Sequence, residues 1–232
     1  MRILIISDLH ANLEAVSALP RDYDELWVLG DLVNYGPDPV AAIDFVRSNA
    51  TTVVRGNHDH AVGFGVDCGC SPRFRAMAEA TRQYTIPMLS AKHKQYLRDL
   101  PTSACRQIHG QTFFLCHATP SDALYEYRGP QSPLWERDEK ASSGADIVLV
   151  GHTHLQFSRS FGNRMVINPG SLGQSKAGDP RARYAIWHNG NVELCALDYP
   201  VEQTVAKISA MPVAAEIKSD LAAVLRTGGV PR

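Results

Sequence analysis

The feature that most constrains the fold is a regular alternation of aliphatic runs and amphipathic stretches over the first 55 residues. Arg2–Ser7, Glu25–Leu29 and the β-branched Thr51–Arg55 read as strands. Between them lie an amphipathic stretch near Leu13–Leu19 and a helix opened by Asp38-Pro39 and running to about Ser48. Asp is a good N-cap there, and Pro suits the first helical position. A β-α-β-α-β order of this kind predicts a largely parallel sheet with covered faces.

Beyond residue 60 the character changes. Ser71–Tyr84 and Ser90–Leu100 predict two helices separated at Pro87, in a block too short to hold a core of its own. The expectation is a single domain over residues 1–232 with a helical insertion at about 60–103. The second half is mainly strands: Cys105–His109, Thr112–Cys116, Ile147–Val150, Phe157–Phe161, Arg164–Ile167, Ala185–His188 and Val192–Asp198. Gly162-Asn163 and Asn189-Gly190 mark hairpins. Helices are expected at Val201–Ala210 and Ala214–Arg226, with a frayed tail over Thr227–Arg232.

Composition removes several function classes. Hydrophobic residues make up 44% and charged residues 20% of the 232, so whole-chain disorder and fibrous folds are excluded. Lys plus Arg number 23 against 24 Asp plus Glu, which excludes a general polyelectrolyte for nucleic acid or anionic membrane. No apolar run approaches the ~18–20 residues of a membrane span. The run from Met1 to Ser7 is cut by Asp8 and His10, too short for a signal peptide, so a cytoplasmic location is expected. Five cysteines without a CxxC pair predict free thiols.

The chemistry gathers after the strands. Asp8-Leu9-His10, Gly30-Asp31, Gly56-Asn57-His58-Asp59, His117 and Gly151-His152-Thr153-His154 each follow a strand-like run. In α/β sheets the carboxyl ends of strands are where ligands bind. Asp8, His10, Asp31, Asn57, His117, His152 and His154 offer carboxylate, amide and imidazole donors suited to divalent transition metals. Seven donors are too many for one open site and fit two ions if a carboxylate is shared. In an extended segment residues i and i+2 point the same way, so Asp8 with His10 and His152 with His154 can each aim at one spot.

Other residues have plainer readings. His93, His109 and His188 lack partners in sequence and are expected to be structural. Arg73, Arg75, Arg82, Lys92 and Lys94 read as a solvated helix face. Tyr125, Tyr127 and Trp135 are expected to pack or line a rim, and Cys68-Gly69-Cys70 to be loop thiols.

Taken in order, DxH, GD, GNHD, a lone His and GHxH resemble the calcineurin-like metallophosphoesterases. Ser7–Ala15, Gly30–Pro39 and Asn168–Gln174 are similar to a subgroup of small bacterial and archaeal phosphodiesterases, as is Gly178-Asp179-Pro180-Arg181. The resemblance implies an α/β fold: two packed mixed β-sheets flanked by helices, in a four-layer sandwich. It implies one ion held by Asp8, His10, Asp31 and His154, and a second held by Asp31, Asn57, His117 and His152. The ions would be Mn, Fe, Zn, Ni or Co. It places His58 on the phosphoryl oxygen as proton donor, Asp59 behind it as an orienting carboxylate, and Gly170 and Ser171 on the floor. His60, after GNHD, and Gln174-Ser175-Lys176 depart from the subgroup pattern.

Two divalent ions against Asp8 and Asp31 leave a net double positive charge, which attracts phosphate and draws the pKa of a shared water toward ~7. The implied activity is a hydrolase cleaving phosphate esters, phosphodiesters or nucleotides first, by attack of a metal-bridging hydroxide. Dinucleoside polyphosphates or phosphoproteins are alternative substrates for the same site. The rivals are a non-catalytic scaffold of the same fold, against which the intact donor set argues, and a nuclease, which the near-neutral charge does not favour. Homo-oligomerisation stays open.

Overall fold

The computed structural model describes residues 1–229. The first sheet contains β1 (Arg2–Ile6), β2 (Glu25–Val28), β3 (Thr52–Val53), β9 (Ala182–His188) and β10 (Asn191–Leu197), in the spatial order β10-β9-β1-β2-β3. β1, β2 and β3 run parallel, and β9 and β10 add to them antiparallel. The second sheet contains β4 (Ser103–Ile108), β5 (Gln111–Cys116), β6 (Ile147–Leu149), β7 (Phe157–Phe161) and β8 (Arg164–Asn168), in the order β4-β5-β6-β8-β7. Its three central strands are parallel and its edges antiparallel. The two mixed sheets expected from sequence are thus present.

Alternation along β1 explains the layering. Ile3 and Ile5 face inward with Trp27 and Leu29, meeting Phe113, Leu115, Leu149 and Ile167 of the second sheet. Trp27 meets Phe113 edge-on at 5.1 Å, and Phe113 meets Trp187 at 5.6 Å. Leu4 and Ile6 face the other way. They pack with Val16 of α1 (Leu13–Ser17), Ile43 and Val46 of α2 (Pro39–Asn49), Val62 of α3 (Asn57–Phe64) and Leu97 of α5 (Ala91–Asp99). The outer face of the second sheet is covered by a 3-10 segment, Pro133–Glu139, whose Trp135 packs on Phe114, Val148 and Phe157.

Several local expectations need correction. Asp38 makes no side-chain capping bond; its carboxylate accepts from Lys207 Nζ at 2.8 Å. The third strand is two residues rather than five, because the Arg55 N–H leaves the sheet to donate to Pro101 O. Pro87 does not separate two helices but sits in the last turn of α4 (Arg75–Met88), where the carbonyl it leaves without a donor belongs to the exposed Gln83. The insertion is not coreless. Phe74, Met77 and Ala78 share a cluster with Val205 and Ile208 of α6 (Val201–Ala210) and Leu221 and Leu225 of α7 (Ala215–Thr227). The expected fraying does not begin at Thr227. That residue ends α7, and the Gly228 carbonyl accepts from Gly178 N–H at 2.7 Å. Residues 230–232 lie outside the described residues. Both hairpin turns with two left-handed residues, His109-Gly110 and Asn189-Gly190, have the signs of type I′. Among the described residues no helix is long and apolar enough to cross a membrane, and all five cysteines are free.

Candidate metal centre

The donors sit in loops leaving the carboxyl ends of the parallel strands. Asp8 and His10 follow β1, Asp31 follows β2, and Asn57 and His58 open α3 beyond β3. His117 follows β5, and His152 and His154 follow β6. All are buried. Asp8, His10 and His154 form one group of close donor atoms, and Asp31, His117 and His152 a second. In the first, His154 Nε2 lies 3.2 Å from Asp8 Oδ1 and 3.2 Å from His10 Nε2. In the second, His117 Nε2 is 3.2 Å from Asp31 Oδ2. Asn57 Oδ1 lies 3.0 Å from His117 Nε2 and 3.1 Å from His152 Nδ1. Asp31 Oδ2 also lies 3.9 Å from His10 Nε2, so one carboxylate oxygen faces both groups.

The alternation expected of an extended chain is not what brings these side chains together. Asp8, His10, Asp31, His152 and His154 all have positive φ, between 46° and 63°. Each such residue costs on the order of 1 kcal/mol or more, a strain that clusters at functional sites. His152 and His154 accordingly diverge into different groups instead of sharing one spot. Close approach does the rest. A Cβ on Gly56 would fall on the Asp31 carboxylate, and one on Gly151 would fall on Ser7 Oγ.

Hydrogen bonds on the far side of each donor fix what points inward. Nδ1 of His10, His117 and His154 faces the carbonyls of Val33 (3.2 Å), Leu29 (2.7 Å) and Gln174 (2.6 Å). Nε2 of His152 faces Tyr125 O at 3.3 Å. A ring nitrogen beside a carbonyl must carry the hydrogen, so a neutral ring turns a lone pair inward. Asn57 Nδ2 donates to Cys68 O at 2.7 Å, which turns Oδ1 inward. Asp31 Oδ1 is occupied by His58 N–H at 2.9 Å, which turns Oδ2 toward His117 and His10. Asp8 Oδ1 is buried with no hydrogen-bond partner. Acceptors that converge without donors repel one another unless a proton or a cation lies between them. The donor set, carboxylate, amide oxygen and imidazole, fits transition-metal ions.

Electrostatics agree. Burial lowers the pKa of His10 and His154, takes His58 down to about 4 and His152 to about 3, so these rings are neutral near pH 7. Burial also disfavours charge on Asp8 and Asp31, but neighbouring histidines outweigh it and hold both carboxyls well below the usual range. For His117 burial opposes the charged ring, while Asp31 and Asp8 overcome it and raise the ring to about 9.

Asp59 does not touch His58 as expected. Its carboxylate accepts from Asp31 N–H and Leu32 N–H at 2.8 Å each and from Gly56 N–H at 3.0 Å, stitching two donor loops together. The partner of His58 is Asn34, whose Nδ2 donates to Nδ1 at 2.9 Å. An amide NH₂ can only donate, so His58 carries its hydrogen on Nε2. Nothing in the sequence singled out Asn34 within the Gly30–Pro39 stretch. Ser171 braces the floor: its Oγ donates to Asp8 O and accepts from Gln174 N–H, both at 2.8 Å. Lys176, from the stretch that departs from the subgroup pattern, reaches the centre with Nζ 3.4 Å from His154 Nε2. Burial lowers it to about 8, so it stays charged near neutral pH. The Tyr127 ring lies 4.0 Å from that of His152, at the rim. His60 stands apart, stacked on Phe64 at 4.6 Å. Trp135 is core, with Arg128 over it at 4.7 Å. Arg73, Arg75 and Lys92 are exposed.

Residues 1–191 match the model of the calcineurin-like phosphoesterase superfamily domain. The chain belongs to that superfamily. Its fold superposes on the crystal structure of a metallophosphoesterase from Sphaerobacter thermophilus with a TM-score of 0.84 and 30% identity, covering 98% of this chain and 99% of that one. An uncharacterised protein of Methanocaldococcus jannaschii is 28% identical over 229 residues, 89% of this chain and 91% of that protein. A symmetrical bis(5'-nucleosyl)-tetraphosphatase of Vibrio campbellii is 26% identical over 182 residues, 77% of this chain and 60% of the relative.

Proposed function

We propose that this calcineurin-like phosphoesterase is a hydrolase of small phosphate esters that works with two divalent transition-metal ions, the whole chain acting as one catalytic domain. Asp8, His10, Asp31 and His154 would hold one ion; Asp31, Asn57, His117 and His152 would hold the other. The observation that carries this reading is the convergence of buried carboxylate, amide and imidazole acceptors on two points, with only a proton on His117 and the Lys176 ammonium to offset them. When bound, the ions polarise phosphoryl oxygens and supply a water that is deprotonated near neutral pH.

The protein's own groups supply the rest. Asp31 spans both sets, with Oδ1 fixed by the amide that opens α3. His58, neutral and hydrogen-bonded at Nδ1, presents Nε2–H to the leaving-group oxygen, the place where negative charge builds as the ester breaks. Asp59 keeps the loops of Asp31 and Gly56 in register, and Ser171 holds the Asp8 loop from below. Phosphodiesters and nucleotides are the preferred substrates. The kinship with bis(5'-nucleosyl)-tetraphosphatases favours dinucleoside polyphosphates as a second reading.

The test is hydrolysis of bis-p-nitrophenyl phosphate by protein loaded with Mn²⁺, Zn²⁺, Co²⁺, Ni²⁺ or Fe²⁺, and of diadenosine tetraphosphate in parallel. Asp31→Asn should lower metal content and turnover together. No turnover of any ester or anhydride with any of these ions would sink the proposal.

A further inference from the structure

Lys176 follows the last strand-end motif and reaches back over the candidate centre. Its ammonium stands 3.4 Å from His154 Nε2 and 4.1 Å above the centre of the Phe74 ring, a cation–π contact. Among the described residues no carboxylate forms an ion pair with it. The acids that act on it are Asp8 and Asp31, both already turned toward the histidine donors, and the Cys70 thiol. A half-buried ammonium normally has a carboxylate of its own. This one has a ring face and a ring nitrogen.

The ring nitrogen is not a durable partner. His154 Nδ1 is committed to Gln174 O, so Nε2 carries one inward lone pair. A metal ion and the ammonium both need that pair, and it can serve only one of them. An ion bound at His154 would therefore end the hydrogen bond and repel the ammonium, while the Phe74 ring face still attracts it. Three N–H donors are left facing the space over the centre, next to whatever anion binds there.

We infer that Lys176 grips a non-bridging phosphate oxygen of the substrate and so favours phosphoryl groups carrying two negative charges over singly charged diesters. The inference rests on the phosphoesterase reading above. It moves the preference from diesters to phosphomonoesters, mononucleotides among them, and to polyphosphate chains, in which a neighbouring phosphate supplies the second charge. Two divalent ions against two carboxylates leave a double positive charge, and Lys176 raises it by one unit. A charged hydrogen bond of this kind is worth about 10- to 100-fold in affinity.

The test uses full-length protein loaded with Mn²⁺, the variants Lys176→Met and Lys176→Arg, and three readouts: metal content, calorimetric affinity for inorganic phosphate, and kcat/KM on p-nitrophenyl phosphate relative to bis-p-nitrophenyl phosphate. Methionine keeps an unbranched side chain of similar length and removes the charge. Lys176→Met should retain wild-type metal content, weaken phosphate binding about 10- to 100-fold, and lower the monoester-to-diester ratio about tenfold or more, chiefly through KM. Lys176→Arg should recover most of both. Phosphate affinity and substrate ratio within about twofold of wild type would overturn the inference. So would loss of metal from Lys176→Met, which would place its effect on His154 instead. If wild type binds phosphate yet cleaves neither these esters nor diadenosine tetraphosphate with any of the ions tested above, the hydrolase reading falls and the phosphate arm still decides the role of Lys176. If loaded wild type binds no phosphate, both fall.

Discussion

Both ring nitrogens of His117 face acceptors: Nδ1 is 2.7 Å from Leu29 O, and Nε2 lies 3.2 Å from Asp31 Oδ2 and 3.0 Å from Asn57 Oδ1. In the ion-free protein this geometry is satisfied by an imidazolium, in keeping with a pKa raised to about 9 against the burial that opposes it. The proton on Nε2 then occupies the place of a cation, and binding an ion must expel it. Near pH 7, below that pKa, most of the rings are protonated, so loading releases close to one proton per chain from His117. The competition weakens apparent metal affinity on the order of 100-fold relative to pH above 9. Because the folded pKa lies above the ordinary 6.5, the same group contributes stability to the ion-free protein that is full below pH 6.5 and is lost as pH rises through about 9.

The assay is calorimetric titration of Mn²⁺ into ion-free protein under nitrogen, in buffers of different ionisation enthalpy. Proton release should be about one near pH 7 and about half that near pH 9. A proton shed by water acquired with the ion would grow with pH instead. Release near zero at pH 7, or rising with pH, would refute the assignment of His117.

Two further predictions concern the supporting groups. Asp59→Asn turns one acceptor into a donor facing backbone N–H groups, so it should cost about 2–4 kcal/mol and lower Tm by roughly 5–15 °C, read by calorimetry; a shift under one degree would refute the role of Asp59 as a stitch. His58→Ala should keep metal content while slowing hydrolysis about 10²- to 10⁴-fold, and Asn34→Leu, which releases the ring tautomer, should give a smaller loss of the same kind; equal loss of metal in either variant would contradict a proton-donating role.

The sheets were legible because apolar runs and turn dipeptides are local signals. The hairpins at Asn189-Gly190 and Gly162-Asn163 and the helix Val201–Ala210 stand where sequence reading put them. What was hidden depended on non-local contact. Asp38 chose Lys207, 169 residues away, over its own helix. The insertion found its core in the C-terminal helices. At the centre the donor types and their strand-end positions were visible, but the left-handed backbone at Asp8, His10, Asp31, His152 and His154 was not, since nothing in a non-glycine residue announces positive φ. Lys176 was visible only as part of a departure from the subgroup pattern, and Asn34 not at all, because each acts through contact with a residue more than 20 positions away.

Asp8, His10, Asp31 and Asn57 hang from one sheet, and His117, His152 and His154 from the other. The gap between opposing donors is therefore set by how the sheets rest on each other, at Trp27, Phe113 and Trp187. These rings act as spacers. A smaller or larger side chain at one of them would change the spacing of the donors from the two sheets without altering any donor atom.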